Sequence, residues 1–157
     1  MTDLYRILVV CTGNICRSPM GEGFLNLLAG EAGLDHVVAE SAGTHAPEGS
    51  PSTAFAISAA AELGADLRNH SATYLNRNLV AEADLILVMT SEHLEFIVTN
   101  WPKEAGDKVK LMRVFHRDAP SADKIPDPIG ASQAVYRKVA HLIKACCEGV
   151  IEQIRSG

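Results

Sequence analysis

Ile7-Leu8-Val9-Val10 followed by Cys11-Thr12-Gly13-Asn14-Ile15-Cys16-Arg17-Ser18-Pro19 is the stretch that decides the fold. Four consecutive apolar residues read as a short buried strand. Gly13 and Asn14 break the run, and Ser18-Pro19 suits the start of a helix. The stretch is therefore strand, tight loop, helix, with a cysteine where the strand ends and an arginine six residues on. In open α/β sheets, ligands bind beyond the carboxyl ends of the strands, and Cys11 lies there.

The loop has the parts of an oxyanion site. Consecutive backbone N–H groups in a tight loop converge on one point. The following helix aims its free N–H groups and positive dipole end at the same place. Arg17 adds a planar fork matching two oxygens of a phosphate. A sulfur held at this centre is expected to act as the thiolate, the nucleophilic form. A bare Cys-x5-Arg spacing is weak evidence and also fits a buried structural cysteine beside a surface arginine. The strand before and the helix after give the spacing its weight.

Outward from this stretch, strands alternate with helices, which predicts an α/β fold with a parallel sheet. Strands are expected near Arg6–Val10, Val37–Ser41, Leu85–Met89 and Lys110–Arg113. Helices are expected near Ser18–Ala32, Pro51–Leu63, Asn78–Ala83, Ser91–Asn100 and Ala131–Arg155. The last shows an apolar stripe of Val135, Val139, Leu142, Cys146, Val150 and Ile154. The alanine-rich Ala54–Ala61 reads as close helix packing. The loops after Ser41 and Met89, and the segment Asp118–Ile129, should line the same mouth as Cys11.

The chain has 157 residues, 47% of them hydrophobic, and is expected to form one domain over residues 1–157 with a sizeable core. Its net charge of −5 suggests neither nucleic acid nor an anionic membrane as partner. With no apolar leader or spanning segment, it reads as a soluble cytoplasmic monomer. The four cysteines suit neither a disulfide framework nor a zinc site, and no metal or cofactor is expected. Cys146 and Cys147 read as small core residues. Cys16 reads either as a thiol able to capture an oxidised Cys11 or as a small buried side chain under the loop.

At this point the chain resembles the low-molecular-weight protein tyrosine phosphatase family. The resemblance rests on Val10–Met20, then Ser41-Ala42-Gly43-Thr44, His70, Asp84–Met89, and Pro126-Asp127-Pro128 ahead of a long final helix. It covers nearly the whole chain. It implies a three-layer sandwich, with a central four-stranded parallel sheet and helices on both faces, and a phosphorylated protein or peptide as substrate. It also implies a two-step phosphoryl transfer. Cys11 attacks phosphorus, Asp127 acts as general acid and then base, and Arg17 with the amides of Thr12, Gly13, Asn14, Ile15 and Cys16 holds the phosphoryl oxygens. From the residues alone, Asp127 between two prolines reads equally as an acid on a stiff loop or as a turn former. By the resemblance, Asn14 holds the loop in a left-handed conformation, with its side chain bonded to Ser41 and His70. Ser18 bonds the Cys11 sulfur, and it could also serve as an ordinary helix N-cap. His70 could be a turn or cap residue.

The same family includes protein arginine phosphatases, in which a threonine usually stands at the position of Ile15. Thr12, Met20 and Met89-Thr90 look more like that branch. Ile15 looks like the tyrosine branch and faces the substrate most directly. The aromatic walls common in tyrosine phosphatases are missing from Thr44–Ser50 and from Ile129-Gly130. Arsenate reductases of this fold need further cysteines in mid-chain, and none lies between Cys16 and Cys146. A phosphate-binding module without turnover would have lost Cys11, Arg17 or Asp127, and all three are present.

Overall fold

The computed structural model describes residues 3–157. A four-stranded, all-parallel sheet runs in the order β2-β1-β3-β4. Its strands are β1 (Tyr5–Cys11), β2 (Val37–Gly43), β3 (Leu85–Val88) and β4 (Val109–Leu111). Parallel neighbours need crossover connections. These are α1 (Arg17–Glu31) between β1 and β2, α2 (Ala54–Glu62) and α3 (Arg77–Glu82) between β2 and β3, and α4 (Ser91–Asn100) with α5 (Pro102–Ala105) before β4. A 3-10 turn (Met112–Phe115) and a long loop lead to α6 (Gln133–Ser156).

β1 is central, and its side chains alternate between two cores. Ile7, Val9 and Cys11 face a layer built from α1, α2 and α6. Leu8 and Val10 face the layer of α3, α4 and α5. Residues Ile7 to Val10 are all essentially inaccessible. Burying each such side chain contributes about 1.5–3 kcal/mol, so this strand anchors both layers. The chain leaves β1 to one side for β2 and returns on its other side as β3. That reversal opens a crevice at the carboxyl end of β1, where Cys11 sits.

The three-layer α/β sandwich is as the sequence predicts, and the differences are local. Helix starts follow side-chain caps: Thr53 caps α2, Asn76 caps α3, Thr90 caps α4 and Ser132 caps α6, each accepting a backbone N–H of the first turn. These caps place the starts within a few residues of the expected positions. β4 stops at Leu111, because residues 112–115 coil into the 3-10 turn, and α5 is a single turn that the pattern did not signal. The α6 stripe is rotated from expectation. Tyr136, Val139, Ala140, Ile143, Cys146, Cys147, Val150 and Ile151 are buried, whereas Val135 is exposed and Leu142 and Ile154 are half-buried. Small residues set this rotation. At Gly149 a Cβ would overlap the Phe115 carbonyl, so the helix backbone lies directly on the 3-10 turn. In the same way Gly21 lets α1 close on β1, where a Cβ would stand 2.9 Å from Val9 Cγ1. Ala56, Ala59 and Ala60 are buried, matching the close packing expected of the alanine-rich stretch.

Candidate active site

The loop after β1 is organised around Asn14. It is the one non-glycine residue with positive φ (56°) among the described residues, a conformation asparagine tolerates better than most. Its buried side chain uses every polar position. Nδ2 donates to Ser18 Oγ at 2.8 Å and to Ser41 Oγ at 2.9 Å, and Oδ1 accepts the Thr73 N–H at 2.8 Å. The bond to Ser41 is as expected. His70 corrects the expectation: its Nε2 donates to the Asn14 backbone carbonyl at 2.7 Å, not to the side chain. The side chain is already filled by Ser18, Ser41 and Thr73, and the left-handed turn points the carbonyl outward.

These bonds orient the groups around sulfur. Ser18 Oγ accepts from Asn14, and its own hydrogen faces Cys11 Sγ at 2.9 Å, with the Ala42 carbonyl a longer alternative at 3.5 Å. The Asn14 backbone N–H also points at that sulfur, at 3.3 Å. Both contacts aim a donor at the sulfur. Ser18 is therefore not the N-cap of α1. The cap position is Cys16, with no side-chain hydrogen bond, which leaves the first-turn N–H groups of α1 unclaimed by a cap. Ser41 passes its own hydrogen to Glu22 Oε1 at 2.5 Å. Burial pushes the Glu22 carboxyl up, and the Ser41 hydroxyl pulls it partly back.

The loop rests on β2. Thr44 and His45 donate backbone N–H groups to the carbonyls of Cys11 (3.0 Å) and Thr12 (2.9 Å). A Cβ on Gly43 would collide with the Thr12 carbonyl and stand 2.9 Å from the Asn14 nitrogen. Only glycine lets the strand back the loop this closely.

Arg17 is 4% exposed. Its Nη1 donates to the Ile125 carbonyl at 2.9 Å, and its Nη2 lies 3.6 Å from Asp127 Oδ2. Ile125 is tied to the end of β3 through the Met89 carbonyl at 2.9 Å. The arginine thereby draws the 118–127 segment over the mouth of the loop. Asp127 has a half-exposed side chain, and its Oδ1 accepts the Ile129 N–H at 3.1 Å. Asp127 thus forms the turn that the sequence offered as one of its two readings, and it also pairs with Arg17.

Cys16 is buried behind the loop, 3.5 Å from Thr53 Oγ1 and 3.4 Å from Tyr136 Oη. Burial pushes its thiol up, with the hydrogen bonds to Tyr136 and Thr53 opposing. Burial and the Cys16 contact push the Tyr136 phenol up to about 12. Cys146 and Cys147 are buried in the core, as expected.

Two clefts meet at Thr12, Arg17 and Asp127. One, of about 230 Å³, has Cys11 at its floor and Ile15 and Ile129 among its walls. The other, of about 490 Å³, is lined by the loops expected from the sequence: Thr44 and His45 after β2, Thr90, Glu92 and His93 after β3, and Lys124 and Ile125. Its aromatic wall was missed. Phe96 comes from within α4 and meets His45 edge-on, with ring centroids 5.8 Å apart. His93 was also missed, although a threonine three residues before a histidine on a helix start was a readable capping signal. Burial, and after it the Arg17 charge, pushes His93 down to about 4, so it is neutral near pH 7.

A sulfur under two donors, a buried arginine beside an aspartate, and a parallel sheet beneath them together define the class of cysteine-dependent phosphatases. Residues 6–157 match the low molecular weight phosphotyrosine protein phosphatase family, and the chain belongs to it. It is 32% identical over 157 residues to a low molecular weight protein-tyrosine-phosphatase of Streptomyces coelicolor, covering 96% of this chain and 94% of that one. It is 34% identical over 152 residues to a protein-arginine-phosphatase of Geobacillus stearothermophilus, covering 97% of each. The crystal structure of a low molecular weight protein tyrosine phosphatase from T. tengcongensis matches with a TM-score of 0.86 at 35% identity, covering 95% of this chain and 99% of that one.

Proposed function

We propose that this phosphatase hydrolyses phosphotyrosine on protein or peptide substrates through a phosphocysteine on Cys11. One observation carries the reading. Cys11 Sγ lies beneath the Ser18 hydroxyl and the Asn14 N–H, in a cleft whose rim holds Arg17 and Asp127 together. The sulfur attacks phosphorus and the bond from phosphorus to the tyrosyl oxygen breaks. Asp127 gives its proton to that oxygen. Water then attacks phosphorus, Asp127 takes a proton from it, and the P–S bond breaks to return the thiolate and inorganic phosphate. The loop amides and Arg17 stabilise the charge on the equatorial oxygens at both steps.

Ile15 and Ile129 give the Cys11 cleft apolar walls, which suit a phenyl ring better than a guanidinium. A second reading, phosphoarginine, is favoured by the acceptors at the rim: Thr12, Glu92 and Asp127 could take guanidinium N–H groups. Matched phosphotyrosine and phosphoarginine peptides decide between them by their kcat/KM values. The expected result is a phosphotyrosine preference that Ile15→Thr shifts toward phosphoarginine. A phosphoarginine preference in the unmodified protein would reverse the assignment.

A further inference from the structure

We propose that the exposed side chains of Phe55, Ile129 and Val135 form a docking surface for a large apolar residue of the substrate, a few positions along the chain from the phosphotyrosine. The surface presupposes the phosphatase reading, and it adds to that reading the chemistry of a residue beside the phosphotyrosine.

Six large apolar side chains are exposed among the described residues, and three of them converge on one side of the Cys11 cleft. Ile129, 52% exposed, is a wall of that cleft and carries the apolar surface out of it. Phe55 (44%) lies in the first turn of α2, and Val135 (38%) in the first turn of α6. These two helix starts are tied to each other. The Phe55 ring meets the Tyr136 ring edge-on with centroids 5.5 Å apart, and Gln133 Nε2 donates to the Phe55 carbonyl at 3.5 Å. They are also tied to the loop. Tyr136 Oη touches Cys16 Sγ, and the Thr53 N–H donates to the Ile15 carbonyl at 3.0 Å. Two residues of chain span at most about 7 Å, so Phe55 stands close to the residue that backs Ile15. The Ala131 N–H donates to the Pro128 carbonyl at 2.8 Å, a turn that leads from Ile129 directly into α6.

The core does not require these side chains. The inward positions of α2 are filled by Ala56, Ala59 and Ala60, and those at the start of α6 by Tyr136, Val139 and Ala140. Phe55, Ile129 and Val135 are left as an apolar group on the rim, the mark of an interaction site. The other side of the Arg17–Asp127 pair differs in chemistry, because the larger cleft there carries Glu92, His93 and Lys124. A phosphoprotein leaves the cleft as polypeptide on both sides of the phosphoresidue. At about 3.3–3.6 Å per residue, a side chain one to three positions away falls over Phe55 and Val135. A small aryl phosphate ends inside the cleft and never reaches them.

The test compares phosphotyrosyl peptides carrying leucine or serine at one position at a time, up to about three residues on either side of the phosphotyrosine. At one or more positions, leucine should raise kcat/KM about five- to twentyfold over serine, the return for partly burying such a side chain. Phe55→Ser should bring that ratio close to one. Val135→Ser, a surface change that costs the fold little, should lower it in part. Turnover of p-nitrophenyl phosphate should be the same in both variants as in the unmodified protein. A leucine preference at no position, or one that survives both substitutions combined, would overturn the proposal while turnover of p-nitrophenyl phosphate keeps the phosphatase reading in place. No turnover of p-nitrophenyl phosphate by the unmodified protein would remove the phosphatase reading and the proposal together. Sedimentation velocity addresses the other occupant: the unmodified protein should run as a monomer, and a dimer that Phe55→Ser dissociates would give the surface to a second copy and overturn the proposal.

Discussion

The loop that holds the sulfur and the loop that holds the acid are built in opposite ways. Asn14 and Ser18 are fully buried, and Asn14 alone is held by Ser18, Ser41, Thr73 and His70. Asp127 has a side chain 44% exposed, held by one turn hydrogen bond and a 3.6 Å ion pair to Arg17. The difference follows from the two tasks. A site that stabilises charge on phosphoryl oxygens gains most when its donors need no rearrangement. An acid that must meet the oxygen of a bound substrate gains from staying solvated and movable.

Three substitutions can sharpen or break this contrast, taken from the largest effect to the smallest. Asp127→Asn should lower kcat on phosphotyrosine by about 10²–10⁴-fold, the usual worth of a positioned acid. Its effect on p-nitrophenyl phosphate, whose leaving group hardly needs a proton, should be far smaller, and the melting temperature should barely move. Equal losses on both substrates would remove the acid role. Asn14→Ala should do the reverse to stability, since it strands the half-buried Thr73 N–H and removes the donor that Ser18 and Ser41 share. Each unmet group costs about 1–3 kcal/mol, measurable by urea denaturation. If Asp127→Asn destabilised the protein as much as Asn14→Ala, the contrast between the loops would fail.

The smallest effect is a pH slope. His93 titrates at about 4 in the folded protein against 6.5 for a free histidine. Between those values the unfolded chain binds a proton that the folded protein refuses, so stability falls as pH drops through this window. The groups around the ring act in both directions: Arg17 and His45 disfavour its charge, and Glu92 and Asp127 favour it. His93→Gln should lose less stability than the unmodified protein between pH about 6.5 and about 4. Parallel losses would mean that His93 is not held neutral.

Much of this was legible in the sequence, for identifiable reasons. The apolar run of β1 and the Gly13-Asn14 break are local signals, and they fixed the position of Cys11 at a strand end. The caps Thr53, Asn76 and Ser132 are also local, and attention to them would have corrected the helix starts. The braces were harder to read. Thr73 and Tyr136 reach the loop across the fold, Glu22 touches it only through Ser41, and nothing in their own neighbourhoods announces a partner. Phe96 reads as an ordinary apolar position on α4 until α4 is seen packed beside His45. Gly43 looked like part of a motif, and the fold supplies the physical reason: the loop backbone lies where its side chain would be. Rotation of α6 escaped the pattern because Gly149, which lies directly on the Phe115 carbonyl, and the buried Ala140 carry little hydrophobic signal.

The most direct test of the central claim is to trap the intermediate. Asp127→Asn is mixed with p-nitrophenyl phosphate, whose leaving group departs without an acid while the water step lacks its base, quenched within the first turnover, digested, and examined by mass spectrometry. The expected result is one phosphoryl group on the peptide containing Cys11, attached at sulfur and absent from the Cys11→Ser, Asp127→Asn double variant as a thiophosphate. Phosphoryl label on a different residue, or release of inorganic phosphate in single turnover with no labelled enzyme at any time, would contradict a mechanism that runs through the Cys11 sulfur.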